Sequence, residues 1–387
     1  MWLLNELIFS TPLIIYVCLR IRKLFGRKLY KNFSTAFFLV LVLAFPLAEI
    51  LSHGSGPGWT RPLMNAGYYA LPLLLYLVLT VIAVDLVIGL LRLTRALSKE
   101  KVQGPRFRTF RLGFVLLFPL VVVLLGILNF HHLRVKEYAV EFPRRASTLT
   151  QLKIVFASDF HLGDQTESDF MDRFVALVNA QDPDLVLIGG DVLEGDRRDE
   201  ALDHFEAHFR RIKSKYGVFA APGNHEGYGG NRDEFFSRAG IRLLSDAVDR
   251  IDGAFIVAGR NDGRSRGRKT AEALLQGVPD DLPLILIDHR PTDIENISRT
   301  RADIQVSGHT HHGQLFPINF ITNKQYELSW GYMKKGGTHV FVSSGVQVWG
   351  PRVRTVGHSE ILLIRVAFRD SGRSRSLSLF DFTPHLF

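Results

Sequence analysis

Aspartate, asparagine and histidine recur in five short clusters along the last two thirds of this 387-residue chain: Asp159-Phe160-His161, Gly190-Asp191, Gly223-Asn224-His225-Glu226, Asp288-His289 and Gly308-His309-Thr310-His311. Their oxygen and imidazole donors suit divalent Mn, Fe, Zn or Co. About four donors hold one ion. The clusters offer seven good candidates and a spare histidine, enough for two ions that share a carboxylate. A lone Asp after a strand is more often a helix N-cap than a ligand, so only their joint occurrence is diagnostic.

Each cluster follows an apolar run: Ile154-Val155-Phe156-Ala157, Leu185-Val186-Leu187-Ile188, Val218-Phe219-Ala220-Ala221, Leu284-Ile285-Leu286-Ile287 and Ile304-Gln305-Val306-Ser307. Runs of this length predict buried strands. Loops at the carboxyl ends of strands in an open α/β sheet converge on one crevice, which brings together residues far apart in sequence. The spacing predicts helices over Glu167–Gln181, Asp199–Ser214, Asp233–Ala239, Thr270–Leu275 and Pro291–Arg299, then strands over Thr338–Ser343 and Glu360–Phe368 without helices between them. Alternating units that give way to a mixed region predict two packed sheets covered by helices.

At these residues the chain resembles the calcineurin-like metallophosphoesterases, in particular their membrane-associated bacterial branch, over residues 150–366. The most specific pieces are Gly223-Asn224-His225-Glu226 and Gly308-His309-Thr310-His311-His312-Gly313-Gln314. The resemblance implies an α/β fold of αββα sandwich type. It also implies that Asp159, His161 and His311 hold one divalent metal ion, that Asn224, His289 and His309 hold a second, and that Asp191 bridges them. The substrate is then a phosphoester attacked by a metal-bound hydroxide, with His225 as general acid for the leaving alkoxide. Glu226 is expected to orient His225, and His312 to sit behind the ligands or to be exposed. Arg354, in Gly350-Pro351-Arg352-Val353-Arg354, matches a Pro-x-Arg element of the family and is the candidate phosphate contact.

The first third of the chain has another composition. Apolar stretches near Leu3–Leu19, Phe33–Leu51, Gly67–Leu91 and Phe110–Phe130 predict an N-terminal bundle of about four transmembrane helices, since about 20 apolar residues cross a bilayer. The first stretch is shorter and holds Asn5, Glu6 and Pro12, so it is the weakest span. Its basic residues Arg20, Arg22 and Lys23 follow the apolar run instead of preceding it, unlike a cleavable signal peptide. Basic loops at Arg20–Lys31 and Arg92–Arg111, against a lone Arg61 in the loop between them, place the catalytic domain outside the cytoplasm by the positive-inside rule. The expected plan is a transmembrane region at 1–130, a linker at 131–149, the metallophosphoesterase domain at 150–369 and a tail at 370–387.

The formal charge of +9 largely reflects these loops, so no nucleic-acid partner is expected. Cys18, the only cysteine, lies in the first apolar stretch and leaves the later domain without disulfides or thiolate ligands. A basic loop with Arg260, Arg264, Arg266, Arg268 and Lys269 could attract an anionic group. Tethering to the bilayer makes a lipid head group or other lipid-linked phosphoester the expected substrate. Two other readings stand beside this one. The first is a catalytically silent metal-binding receptor or scaffold. The second is a transporter with an accessory domain, for which Asp85 in the third apolar stretch, with no obvious basic partner, is the sole pointer.

Overall fold

The computed structural model describes residues 2–25, 27–52, 60–143, 145, 147–163, 166, 169–194, 200–226, 232–251 and 253–369. The expected tail at 370–387, and the expected helix starts at Glu167 and Asp199, lie outside these residues. The chain divides into two compact units. The first holds the chain up to Arg134 together with His311–Gln325 and Val346–Ser359; the second holds Val135–Thr310, Tyr326–Gly345 and the chain from Glu360.

Leu-, Val- and Phe-rich segments of the first unit form α1 (Trp2–Leu24), α2 (Lys28–Ser52), α3 (Thr60–Leu93) and α5 (Pro105–His131), with a short α4 (Lys99–Gln103) before the last. Ser98 caps α4 by accepting from the Lys101 N–H. Pro105 opens α5 where its missing N–H has no helical partner to lose. Val17, Ile21, Phe38, Leu77, Val78, Val81 and Val115 form the buried seam of the bundle. All four apolar stretches are therefore helical. Among the described residues, two helices are long and apolar enough to cross a membrane, Asn65–Leu93 and Pro105–His131.

Asp85 is not isolated, contrary to the sequence expectation. The Arg20 guanidinium of α1 pairs with its Oδ2, and the Tyr16 hydroxyl donates to the same oxygen at 2.6 Å. Tyr16 and Arg20 lie on α1 and Asp85 on α3, so their pairing is invisible along the sequence. Asp85 therefore has the basic partner that the sequence did not show.

The second unit carries β1 (Leu133–Pro143), β2 (Gln151–Ala157), β3 (Leu185–Ile188), β4 (Val218–Ala220), β5 (Ile241–Leu243), β6 (Ala247–Ile251), β7 (Phe255–Gly259), β8 (Leu284–Ile287), β9 (Ile304–Ser307), β10 (Gly331–Lys335), β11 (Thr338–Val342) and β12 (Ser359–Arg369). They form two six-stranded mixed sheets, ordered β1-β12-β2-β3-β4-β5 and β10-β11-β9-β8-β7-β6. Alternate residues of the strands meet in one core: Ile154 and Phe156, Leu185 and Leu187, and Phe219 from the first sheet face Val257, Ile285, Ile287, Ile304, Val306 and Phe341 from the second. The opposite faces are covered by helices. Phe160 stacks edge-on against Phe174 of α6 (Phe170–Ala180) and Phe209 of α7 (Glu200–Phe209), and Phe209 against Phe235 of α8 (Arg232–Arg238). Leu274 and Leu275 of α9 (Ala271–Leu275) and Ile297 of α10 (Ile294–Ile297) pack with Ile256, Leu284 and Leu286 on the other side. The second unit is thus a mixed α/β sandwich in the order helix, sheet, sheet, helix.

β1 occupies residues expected to be linker. Its alternation of Tyr138, Val140 and Phe142 with charged or small residues puts those side chains on the common core. The strands that matter for the site are parallel neighbours. β2, β3 and β4 run side by side with Phe156 opposite Leu187 and Leu187 opposite Phe219, and β8 pairs with β9 with Ile287 opposite Val306. Their carboxyl ends therefore open at one edge of each sheet.

Candidate metal centre

The loops leaving β2, β3, β4, β8 and β9 carry Asp159 and His161, Asp191, Asn224 and His225, His289, and His309, respectively. Several of these residues adopt backbone that side chains rarely tolerate. Asp159 has φ 59°, His161 45°, Asp191 51° and His309 70°. Left-handed backbone at a non-glycine residue costs about 1 kcal/mol or more and persists where surrounding contacts impose it, commonly at functional sites. Here the imposing contacts are backbone hydrogen bonds. Asp159 N donates to Gly190 O at 3.0 Å, while Phe160 N and His161 N donate to Asp191 O at 2.8 and 3.0 Å. Glycine is required where the loops touch: a Cβ on Gly223 would fall 2.2 Å from Asp191 Oδ1, and one on Gly308 would fall 2.3 Å from Asp159 Oδ2.

Asp191 is central. Its Oδ1 accepts from His225 N at 2.8 Å, and its Oδ2 lies 3.1 Å from His289 Nε2 and 4.0 Å from His225 Nε2. Two groups each offer ligand atoms that all lie within 4.8 Å of one another, His161 with Asp191 and His225, and Asp191 with His289 and His309. Asp159 is fully buried. Its carboxylate accepts from His309 N, at 3.1 Å to each oxygen, and from Ser158 Oγ at 2.6 Å.

The donor set fits a cation on its own chemistry. His289 Nδ1 donates to Gly189 O at 2.6 Å, so Nε2 is the ring nitrogen turned to Asp191. Two electron-rich atoms 3.1 Å apart need positive charge between them. Burial alone would lower the His289 pKa, but Asp191 outweighs it and raises the group to about 10. Asp191 responds in the opposite sense: burial would raise it, and His289 holds it well below the usual carboxylate range. Among the described residues Asn224 Oδ1 is a buried polar atom without a hydrogen-bond partner, as a donor kept for a metal would be. His309 stays neutral, its pKa held at about 3 by burial and then by His289 and Arg290.

Two carboxylates behind the site take roles that the sequence left unassigned or assigned otherwise. Glu194 Oε2 lies 2.7 Å from His161 Nδ1 and its Oε1 3.2 Å from His225 Nδ1. One carboxylate thus fixes Nδ1–H on both rings and leaves Nε2 as the lone-pair nitrogen. Burial would raise the Glu194 pKa, yet the hydrogen bonds from these histidines bring it down to about 2. The only sequence signal for Glu194 is an acidic residue three positions after Asp191. Glu226 does not orient the His225 ring as expected. Its carboxylate accepts the backbone N–H groups of Asp191 at 2.9 Å, Leu193 at 3.1 Å and Gly223 at 2.7 Å, and also that of Val192. It therefore ties the β3 loop to the β4 loop. Replacing Glu194 by Gln should weaken metal binding by about 10- to 100-fold, the usual effect of losing a carboxylate behind a ligating histidine; competition titration against a chelating dye measures it, and an unchanged affinity would remove Glu194 from the site.

His311, at φ 46°, and His312 lie in a 3-10 turn, His311–Gly313, that belongs to the first unit. Arg354, the expected phosphate contact, is in the same unit. It is 0% exposed, and its Nη1 and Nη2 donate to His311 O at 3.3 Å and Gln347 O at 2.8 Å. The basic loop is partly neutralised. Arg260 and Arg268 both bind Asp288, at 2.7 and 2.6 Å, and Arg290 binds Asp262 at 2.6 Å.

The calcineurin-like phosphoesterase family matches residues 152–313. An uncharacterised metallophosphoesterase of Campylobacter jejuni is 31% identical over 283 residues, covering 68% of this chain and 73% of that protein. An uncharacterised metallophosphoesterase of Aquifex aeolicus is 30% identical over 258 residues, covering 64% of this chain and 97% of its own length. A transmembrane protein with metallophosphoesterase domain from Bos taurus is 30% identical over 245 residues, covering 57% of this chain. The chain spans about half of the bovine relative's length, 55%.

Proposed function

The chain belongs to the calcineurin-like metallophosphoesterase family, and on that premise we propose that it is a membrane-anchored hydrolase of phosphoesters with a dinuclear metal centre. The observation that carries this reading is the convergence of His161, Asp191, His225, His289 and His309 within ligand reach around one carboxylate. By the family pattern, Asp159, His161 and His311 hold one divalent ion, Asn224, His289 and His309 the other, and Asp191 is shared. Bound there, the ions supply Lewis acidity to a phosphoryl oxygen and acidify a water.

The protein's own groups do the rest. Asp191 and Asp159, held by backbone N–H donors, keep the ligand carboxylates from rotating. Glu194 holds Nδ1–H of His161 and His225, so the proton that His225 gives to the leaving oxygen as general acid is carried on Nε2 of its imidazolium form. Burial of Asp159, Asp191 and His289 keeps bulk water out of the ligand shell. The apolar helices Asn65–Leu93 and Pro105–His131, and the transmembrane relative, support a multi-pass anchor. The basic loops support a catalytic domain outside the cytoplasm. A substrate carried on lipid follows from that tether.

The test is hydrolysis of a chromogenic phosphomonoester and phosphodiester by the full chain in detergent, with Mn, Fe, Zn or Co added one at a time, then with chelator. Turnover that needs a divalent ion and stops with chelator is expected. A folded, metal-loaded protein that turns over neither ester would instead support the binding-receptor reading.

A further inference from the structure

A short apolar run in the first unit is turned outward. Phe316, Ile318, Phe320 and Ile321 are 48, 37, 62 and 63% exposed within six residues, the last two on the short helix Asn319–Gln325. The rest of that helix, Asn319 and Thr322–Gln325, is polar. Four large apolar side chains in water at one place are a cost that soluble proteins avoid.

The run is not a loose loop. Leu315 just before it packs with Tyr76 of α3, Val123 of α5 and Val353. Phe316 N donates to Thr355 Oγ1 at 2.9 Å, and Tyr76 hydrogen-bonds to the same hydroxyl. The partner loop lies directly on α5: Arg354 N donates to Gly126 O at 2.9 Å, Asn129 Nδ2 donates to Arg354 O and Gly357 O at 3.0 Å, and a Cβ on Gly126 would come within 2.7 Å of Val353 Cγ1. Val123 stands eight residues before His131, the end of α5. At about 1.5 Å per residue it is roughly 12 Å inside that end. The same turns of α5 expose Val121, Leu124, Leu125 and Leu128. Where α5 crosses a bilayer, a segment anchored on these turns is placed against lipid instead of water.

We propose that Phe316, Ile318, Phe320 and Ile321 are inserted into the bilayer beside α5, as an interfacial element that seats the segment after His311 among lipid chains. This rests on the reading of α5 as a membrane span. It agrees with the lipid-borne phosphoester already proposed as substrate, on which the second readout below rests.

Cys18 is the only cysteine, so a Cys18→Ala background accepts one nitroxide label at a time. Labels go on Phe320→Cys, on Leu124→Cys, whose native side chain is 58% exposed on α5, and on Asp182→Cys, whose native side chain is 98% exposed in the second unit. The full chain is placed in vesicles of phosphatidylglycerol and phosphatidylcholine, and collision rates with oxygen and with a water-soluble nickel chelate are compared. The expected result is high oxygen and low nickel access at 320 and 124, and the reverse at 182. Nickel access at 320 with oxygen access at 124 overturns the insertion while leaving the span intact. Nickel access at both overturns the span and the insertion with it. Low access to both probes at 320 means that protein covers the run, and overturns the lipid assignment. As a second readout, Phe320→Ser with Ile321→Ser should lower hydrolysis of a vesicle-borne phosphoester by more than about tenfold, since lost burial of two large apolar groups exceeds what a tenfold change requires. Hydrolysis of a soluble chromogenic ester should be unchanged; equal losses on both substrates would contradict the proposal.

Discussion

Asp191→Asn is expected to remove the proposed phosphoester hydrolysis almost entirely while the protein stays folded. The carboxylate sits where the histidine and asparagine donors of two loops meet, with His289 Nε2 at 3.1 Å and the His225 N–H at 2.8 Å. Asn has the same shape and can still accept from His225 N through one oxygen. Its NH2 group, however, can neither carry negative charge nor donate a lone pair, so the shared ligand is lost. A fall of roughly a thousandfold in kcat/KM, about 4 kcal/mol of transition-state stabilisation, is expected. Metal content should fall in parallel, since the remaining donors no longer share an anion. The backbone bonds from Phe160 N and His161 N to Asp191 O do not involve the side chain and should keep the loop in place. Elemental analysis of the purified variant beside its kinetics decides the matter. Wild-type metal content with wild-type turnover would show that Asp191 is no ligand.

Glu226→Ala should be the most destabilising single change near the site. Its carboxylate takes four backbone N–H groups, from Asp191, Val192, Leu193 and Gly223, and is 2% exposed. Alanine leaves those donors buried without acceptors, at about 1–3 kcal/mol each. Even the lower bound, about 4 kcal/mol, is a large share of the about 5–15 kcal/mol that holds a typical domain together. For a domain of this size it corresponds to a fall in Tm of about 8–16 °C. Glu226→Gln keeps one acceptor oxygen and should fall between. Thermal unfolding followed by intrinsic fluorescence tests both. A Tm within about 2 °C of wild type for the alanine variant would mean that water replaces the carboxylate and that the two loops do not depend on it. The two variants separate stability from chemistry: the first should lose function with only the fall in Tm that metal loss brings, and chelator-treated wild type should match it, whereas the second should lose stability beyond that of the metal-free protein.

The chemistry of the centre was readable along the chain because its donors come in short, locally encoded pieces. Asp159 with His161, Asn224 with His225, and His309 with His311 each stand at the end of an apolar run, which marks a buried strand but not which of its side chains face the shared core. A period-2 alternation marks β1, although the charges around Tyr138, Val140 and Phe142 disguised it as linker. The supporting groups were hidden for a physical reason. Glu194 is a single acid with no pattern of its own, and Glu226 looks like a continuation of Asn224-His225. Which backbone N–H or imidazole each carboxylate meets depends on how neighbouring loops fold over one another. Arg20 and Asp85 are 65 residues apart, and only helix packing makes them partners.

By itself, then, the sequence determined the donor types, their order, the strands that present them and the apolar character of the first third. These are properties of one to a dozen consecutive residues, and short-range sterics and hydrophobic periodicity encode them directly. Tertiary structure alone decided that one carboxylate orients two imidazoles, that another clamps two loops, that Arg354 is spent on backbone carbonyls, and that residues 311–325 and 346–359 belong with the helices. Such hydrogen bonds are worth making only when both partners are already buried and aligned, and that condition is met by the folded chain and by no segment of it.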